Sequence, residues 1–118
     1  MQCVFLTADM MFSSRVMGAA SAAGVPLKIV ATAADLPKHV GDQCRLALID
    51  LMMSGLNLLE AVGTIREQAP QARIVAFGPH VDEQLLAGAS QAGCEVVTRG
   101  QFQQQHTALL QSISSTGV

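Results

Sequence analysis

At its centre the chain contains Leu46-Ala47-Leu48-Ile49-Asp50-Leu51-Met52-Met53-Ser54, an apolar run that ends abruptly in a carboxylate and continues into a methionine-containing turn. The length and nearly continuous apolarity of residues 46–49 are typical of a strand that is covered on both faces, as in a parallel sheet. Four further runs share this character: Cys3–Leu6, Leu27–Val30, 73–77 and 95–97. The sequence therefore predicts five buried strands.

Segments of helical length separate the predicted strands. Residues 12–23 and 56–68 each place apolar or small side chains on one face, and Asp82 is well placed to cap a third helix. A last helix is predicted at about 101–114, and a short one at 33–40. Regular alternation of strand and helix implies right-handed crossovers and a parallel sheet with helices on both faces.

The composition predicts one α/β domain over residues 1–118, with a polar tail from about residue 114 and a core of Ala, Leu, Val and Met. A formal charge of -2, with seven Lys and Arg spread thinly, argues against nucleic-acid binding. No apolar run approaches the roughly 20 residues that span a membrane, and the first residues lack the basic stretch and long apolar segment typical of a signal peptide. Three widely spaced cysteines, Cys3, Cys44 and Cys94, are predicted to be buried and reduced, which favours the cytoplasm.

The stretch around Asp50 closely resembles the third strand of bacterial response-regulator receiver domains, in which the phosphoacceptor Asp is commonly followed by Leu-x-Met-Pro. On this resemblance Asp50 is the phosphoacceptor position, Met53 matches the Met of the motif, and Ser54 replaces its Pro. The resemblance extends from Cys3 to about Ile113. It implies a flavodoxin-like (βα)5 three-layer sandwich, with a five-stranded parallel sheet in the order 2-1-3-4-5.

Several receiver motifs are altered in this chain. The segment from Asp9 to Arg15 resembles the acidic pair after the first strand, with Asp9 at the acidic-pocket position and Met10 at the second acid; a slip of one residue would exchange the two. Gly78 occupies the position of the switch hydroxyl, which is therefore lost. Arg99 replaces the Lys that follows the fifth strand. The chain thus resembles a degenerate receiver, or pseudo-receiver.

These substitutions bear on phosphorylation, which requires a divalent cation held by oxygen ligands. Asp9 and Asp50 are the candidate metal ligands, whereas the thioether of Met10 is a poor partner for Mg²⁺. Weak or no Mg²⁺ binding is predicted, and no other cofactor. Arg99 could still form a charge-assisted bond with Asp50, and a standing pair of this kind could lock one conformation.

Four methionines, Met10, Met11, Met52 and Met53, fall at the end of the predicted sheet where receivers hold their metal. Methionine is adaptable and frequent at surfaces that accept varied partners, so these residues are a candidate partner face; packing beneath the loops is the alternative. The three histidines, His39, His80 and His106, lack ligand spacing and are predicted to be solvated. His80 and Asp82 form a conceivable proton-transfer pair, but no nucleophile accompanies them.

The leading hypothesis is a stand-alone signalling domain that binds another protein, possesses no enzymatic activity and does not depend on phosphorylation. One alternative is a receiver that is still phosphorylated at Asp50. Another is a small α/β enzyme or ligand-binding domain, which a deep polar pocket near Asp50, His80 and Arg99 would favour. A signalling protein is the expected partner, and a second copy is also a candidate through Leu85, Leu86 and Ala89, which core packing explains equally well.

Overall fold

The computed structural model describes residues 2–114 and contains the five predicted strands. They are β1 Cys3–Leu6, β2 Leu27–Val30, β3 Leu46–Asp50, β4 Arg73–Gly78 and β5 Glu95–Thr98. The helices are α1 Met10–Ala23, α2 Leu36–His39, α3 Leu58–Gln68, α4 Glu83–Gln91 and α5 Arg99–Ser112, with a 3-10 turn at Ala33–Asp35 before α2. The predicted polar tail lies outside the described residues, apart from its first residue.

All five strands are parallel and lie in the order β2-β1-β3-β4-β5, which confirms the flavodoxin-like α/β fold. The two hydrophobic layers on either side of the sheet differ in chemistry. The layer beneath α2, α3 and α4 is aliphatic. The layer beneath α1 and α5 contains all four phenylalanines, Phe5, Phe12, Phe77 and Phe102. The rings of Phe77 and Phe102 stack with their centroids 4.2 Å apart.

Methionine contributes little to this core, so that part of the sequence prediction is wrong. Met10, Met11, Met17 and Met52 are exposed, and Met53 is half-buried against the aliphatic layer. The reason is their position: they lie on α1 or in the loop after β3, whereas the phenylalanines lie on strands or on inward-facing helix positions. Aliphatic side chains and the four phenylalanines therefore form the core, and Met53 packs against its aliphatic layer.

Side-chain caps fix where the helices begin. Asp9, Asn57, Asp82 and Thr98 each accept a hydrogen bond from the backbone N–H three residues later. This confirms the predicted Asp82 cap. Helix α5 begins at Arg99, about two residues earlier than predicted, because Thr98 and Gln101 form a reciprocal capping box. No helix within residues 2–114 is long and apolar enough to cross a membrane.

The three cysteines are buried and unpaired, as the sequence predicts. Desolvation by burial raises the pKa of each thiol: Cys3, Cys44 and Cys94. Because the thiolate is the reactive form of cysteine, raised pKa values make these groups poor nucleophiles. The cysteines are therefore core residues in this fold.

Candidate functional site

The site lies at the carboxyl ends of β1, β3 and β4, next to the point where the strand order reverses between β1 and β3. Thr7 follows β1, Asp50 ends β3, and Gly78 ends β4. All three residues are buried. The fold thus brings together, at one edge of the sheet, residues that are far apart in the sequence.

Asp50 is only 4% exposed, and both of its carboxylate oxygens accept hydrogen bonds. The hydroxyl of Thr7 donates to Oδ2 at 2.9 Å, and the backbone N–H of Met52 donates to Oδ1 at 3.0 Å. The backbone N–H of Asp9 in turn donates to the Thr7 hydroxyl at 3.1 Å. A buried carboxylate requires such partners, because leaving it unpaired is costly. Each carboxylate oxygen of Asp50 therefore has a hydrogen-bond partner within the protein.

Thr7 is not among the site residues predicted from the sequence. The available signal was a small hydroxyl residue that directly follows the apolar run of β1. The hydroxyl of Thr7, itself 1% exposed, is the side-chain donor that Asp50 uses. Thr7 is therefore the residue that sequence reasoning missed.

Asp9 caps α1 and also binds Arg99. Its Oδ1 accepts from the backbone N–H of Phe12 at 3.0 Å, and its Oδ2 accepts from Nη2 of Arg99 at 2.8 Å. The Phe12 hydrogen bond, followed by the Arg99 guanidinium, lowers the pKa of Asp9 below its ordinary value. Both roles considered for Asp9, helix cap and charge partner, are therefore present together.

In the structure Arg99 pairs with Asp9, so the suggested bond between Arg99 and Asp50 is not formed. Arg99 is the first residue of α5, and its side chain reaches Asp9 at the start of α1. The guanidinium carbon also lies 5.1 Å from the ring centroid of Phe12, in cation-π range. The early start of α5 thus directs the cation toward α1 and away from Asp50.

The carboxylates at this edge do not form an open oxygen cage. Each of the four oxygens of Asp9 and Asp50 already accepts a hydrogen bond from a protein donor. Met10, at the position of the second acid, is 72% exposed. Since Mg²⁺ prefers several oxygen ligands in near-octahedral geometry, this donor set fits the ion poorly.

Gly78 is buried between apolar side chains. A Cβ at this position would lie 3.5 Å from Leu51 and 3.4 Å from Leu85, which are ordinary contact distances. The space beside Gly78 is therefore bounded by two leucines. Gly78 itself provides no hydroxyl there.

Of the four methionines in the candidate partner face, three are on the surface. Met10, Met11 and Met52 are 72%, 86% and 59% exposed. Met53 is instead half-buried against the aliphatic layer, as the packing alternative predicts. We call Met10, Met11 and Met52 the methionine surface.

The histidines do not form a site with these residues. Asp82 accepts from the backbone N–H of Leu85, and no hydrogen bond joins it to His80 within residues 2–114. His106 was predicted to be solvated, but it is only partly so. Its ring contacts Phe12 and Phe102, and Nδ1 lies 3.0 Å from the carbonyl oxygen of Gln103. In the part of the chain described here, no three His, Cys, Asp or Glu residues cluster as metal ligands would.

The structure also bears on two other suggestions, a deep polar pocket near Asp50 and a dimer face on α4. The cavity that Arg99 lines has a volume of about 270 Å³, and neither Asp50 nor His80 contributes to its wall. The suggested dimer residues on α4 pack inward, since Ala89 is fully buried and Leu85 and Leu86 are half-buried against the core. Core packing therefore explains these three residues.

No family model matches the sequence, and no curated protein is similar to it in sequence. Solved structures are similar in fold. The receiver domain of NtrX from Brucella abortus matches with a TM-score of 0.72 and 16% identity, over 97% of this chain and 98% of that one. The beryllofluoride-activated NtrC4 receiver domain dimer matches with a TM-score of 0.73 and 14% identity, over 97% and 100%.

The signal receiver domain of the DNA binding response regulator merR from Colwellia psychrerythraea 34H is also similar. It matches with a TM-score of 0.71 and 17% identity, over 94% of this chain and 96% of that one. At such identities the similarity establishes the shared fold, and function has to be argued from the site.

Proposed function

We propose that this chain is a signalling domain of the receiver type that acts by binding another protein and does not use phosphorylation of Asp50 as its switch. The observation that supports this most directly is the arrangement at Asp50, whose two oxygens accept from Thr7 and Met52. A phosphoacceptor must present an oxygen to the incoming phosphoryl group, together with a cation that offsets the transferred charge, and the two donors already occupy half of the lone-pair sites of this carboxylate. The fold shared with receiver domains supports the signalling class.

The proposal includes weak or absent Mg²⁺ binding. The four carboxylate oxygens of Asp9 and Asp50 are engaged with protein donors, and Arg99 already places a positive charge beside Asp9. A divalent cation would compete with these donors for the lone pairs of the carboxylate oxygens and would be repelled by the guanidinium. The chain acts here as a regulatory module rather than an enzyme.

The proposed binding region is the methionine surface, at the end of the sheet that also holds Asp50. Exposed methionines offer flexible apolar contact area, which suits a protein partner. A second copy of the chain is a further candidate partner, since the NtrC4 receiver domain was solved as a dimer. A cytoplasmic location belongs to the same proposal and is supported by three unpaired thiols.

The test is phosphorylation followed by intact mass. The protein is incubated with Mg²⁺ and a small-molecule phosphodonor, beside an Asp50→Asn variant and an ordinary receiver domain as positive control. We expect the control receiver to gain a phosphoryl group and this protein to stay unmodified.

The alternative is a receiver that is still phosphorylated, which the position of Asp50 at the end of β3 favours. Addition of one phosphoryl group to the natural chain and none to Asp50→Asn would establish that alternative. It would overturn the proposal of phosphorylation-independent action.

A further inference from the structure

Besides the site at Asp50, a second polar site lies between the first turns of α1 and α5, next to the methionine surface. It is a cavity of about 270 Å³. The residues that line it are Asp9, Met11, Phe12, Arg15, Arg99 and Gln103. The wall thus combines two guanidinium groups, one carboxylate, one amide and two apolar side chains.

The guanidinium of Arg99 already makes two contacts before any ligand binds. One Nη2 bond to Asp9 and the face of the Phe12 ring hold it on two sides. A guanidinium has five N–H donors, and the bond to Asp9 is the one hydrogen bond that Arg99 donates from its side chain within residues 2–114. A ligand oxygen would therefore meet free donors whose geometry is already set, which reduces the entropy cost of binding.

Arg15 is the positively charged side chain of the cavity that has no ion-pair partner among residues 2–114. It is exposed and takes part in no hydrogen bond or ion pair within the described chain. The carboxylate of Asp9 is already satisfied by Phe12 and Arg99. Two cations and one anion leave a local charge of about +1, in a chain whose formal charge is -2.

Size and charge together select the ligand. Pockets for small molecules usually enclose roughly 300–1,000 Å³, so this cavity suits one side chain better than a nucleotide or cofactor. Guanidinium groups bind carboxylates and phosphates, often through two parallel hydrogen bonds. A singly charged carboxylate balances the local charge of about +1, whereas a doubly charged phosphate would leave a net negative charge in the cavity.

We propose that this cavity receives the carboxylate of one Asp or Glu side chain of a partner protein, while apolar neighbours of that side chain rest on Met11 and Met10. The inference deepens the proposed function, on which it rests for the nature of the partner. Arg15 and Arg99 would bind the carboxylate, and Gln103 would add an amide donor. Met11, at 86% exposure, provides the apolar contact beside the cavity.

The test is a titration of the isotope-labelled protein followed by NMR. Two acetylated and amidated peptides serve as probes, Ala-Leu-Glu-Leu-Ala and Ala-Leu-Gln-Leu-Ala, which differ only in the charged group. Signals of the Arg15 and Arg99 Nε–H groups, the Gln103 amide and the Met11 methyl are followed. We expect saturable shifts with the Glu peptide and binding about tenfold or more weaker with the Gln peptide, as for loss of a charge-assisted hydrogen bond.

Matched variants locate the effect. Arg15→Gln removes one cation from an exposed side chain without a partner, so folding should be preserved, and we expect most of the Glu preference to disappear. Arg45→Gln removes the same charge at the opposite end of β3, outside the cavity, and should keep that preference. If both variants lower it equally, net charge explains the binding and the cavity is not the site.

Two further results would overturn the proposal. One is the absence of shifts at about 10 mM Glu peptide, since contacts with two guanidinium groups, one amide and Met11 should together give binding that is visible in the millimolar range. The other is a stronger response to inorganic phosphate than to the Glu peptide or acetate, which would make this a phosphate site. No phosphodonor is present in the titration, so phosphorylation of Asp50 would overturn the proposed function alone, and a failed titration would overturn only this inference.

Discussion

At the scale of single residues, the hydroxyl of Thr7 holds the buried carboxylate of Asp50. Thr7→Val keeps the shape of the side chain, removes the 2.9 Å hydrogen bond to Oδ2 of Asp50, and also removes the acceptor for the backbone N–H of Asp9. We expect the free energy of unfolding to fall by about 1–3 kcal/mol, because a buried charged acceptor loses its partner. Urea unfolding measures this change. The exposed Thr107→Val serves as control and should stay within about 0.5 kcal/mol, and a Thr7→Val protein as stable as the natural chain would contradict the prediction.

Sequence reasoning reached the positions of the site residues but not all of their partners. Asp9 and Asp50 were predictable at one edge of the sheet, because parallel strands end on the same side. The partner of Arg99 was not predictable, because it depends on where α5 begins and in which direction the side chain leaves the helix. Thr98 moves that start by about two residues, and Arg99 consequently binds Asp9.

At the scale of elements, the Asp9 side chain joins α1 to α5 through Arg99. Asn caps a helix about as well as Asp, so Asp9→Asn removes the charge and keeps the cap. The folded-state pKa of Asp9 is lowered, first by the Phe12 hydrogen bond and then by Arg99. The charge therefore stabilises the fold above the ordinary pKa of 3.8, and this contribution is lost as the pH falls through the folded-state pKa.

The resulting prediction is a pH-dependent difference in unfolding free energy between the natural chain and Asp9→Asn. We expect the natural chain to be more stable near neutral pH, and the difference to shrink toward zero as the pH falls below 3.8. Urea unfolding at a series of pH values measures it. Asp42→Asn, which removes an exposed acid with no ion pair among residues 2–114, is the control. A difference that grows on acidification would have the wrong sign for this mechanism.

The elements themselves were predictable to within about two residues at most ends, because apolar runs and capping residues are local signals. The strands begin where predicted, and β3, β4 and β5 each extend one residue further. The prediction that methionine helps to fill the core was wrong for a different reason. Hydrophobicity alone does not tell whether an apolar residue faces the sheet or a loop surface, and Met10 and Met52 lie on the outside.

At the scale of the whole molecule, the layer beneath α1 and α5 depends on packed aromatic rings. Phe102 is fully buried and contacts Phe5, Phe12 and Phe77. We expect Phe102→Ala to lower the free energy of unfolding by about 3–5 kcal/mol through lost packing and a residual cavity. Thermal or urea unfolding measures the loss. Leu59→Ala, at a side chain that is 74% exposed, should change stability by no more than about 0.5 kcal/mol, and a similar loss in both variants would contradict this account.

The confinement of every phenylalanine to one side of the sheet has a practical consequence for spectroscopy. The chain contains no tryptophan or tyrosine, so its near-ultraviolet circular dichroism arises mainly from the four rings beneath α1 and α5. The far-ultraviolet signal reports helices on both sides. Comparing the two melting curves therefore shows whether the half of the molecule that bears Arg15 and Arg99 loosens before the other half, without an added label.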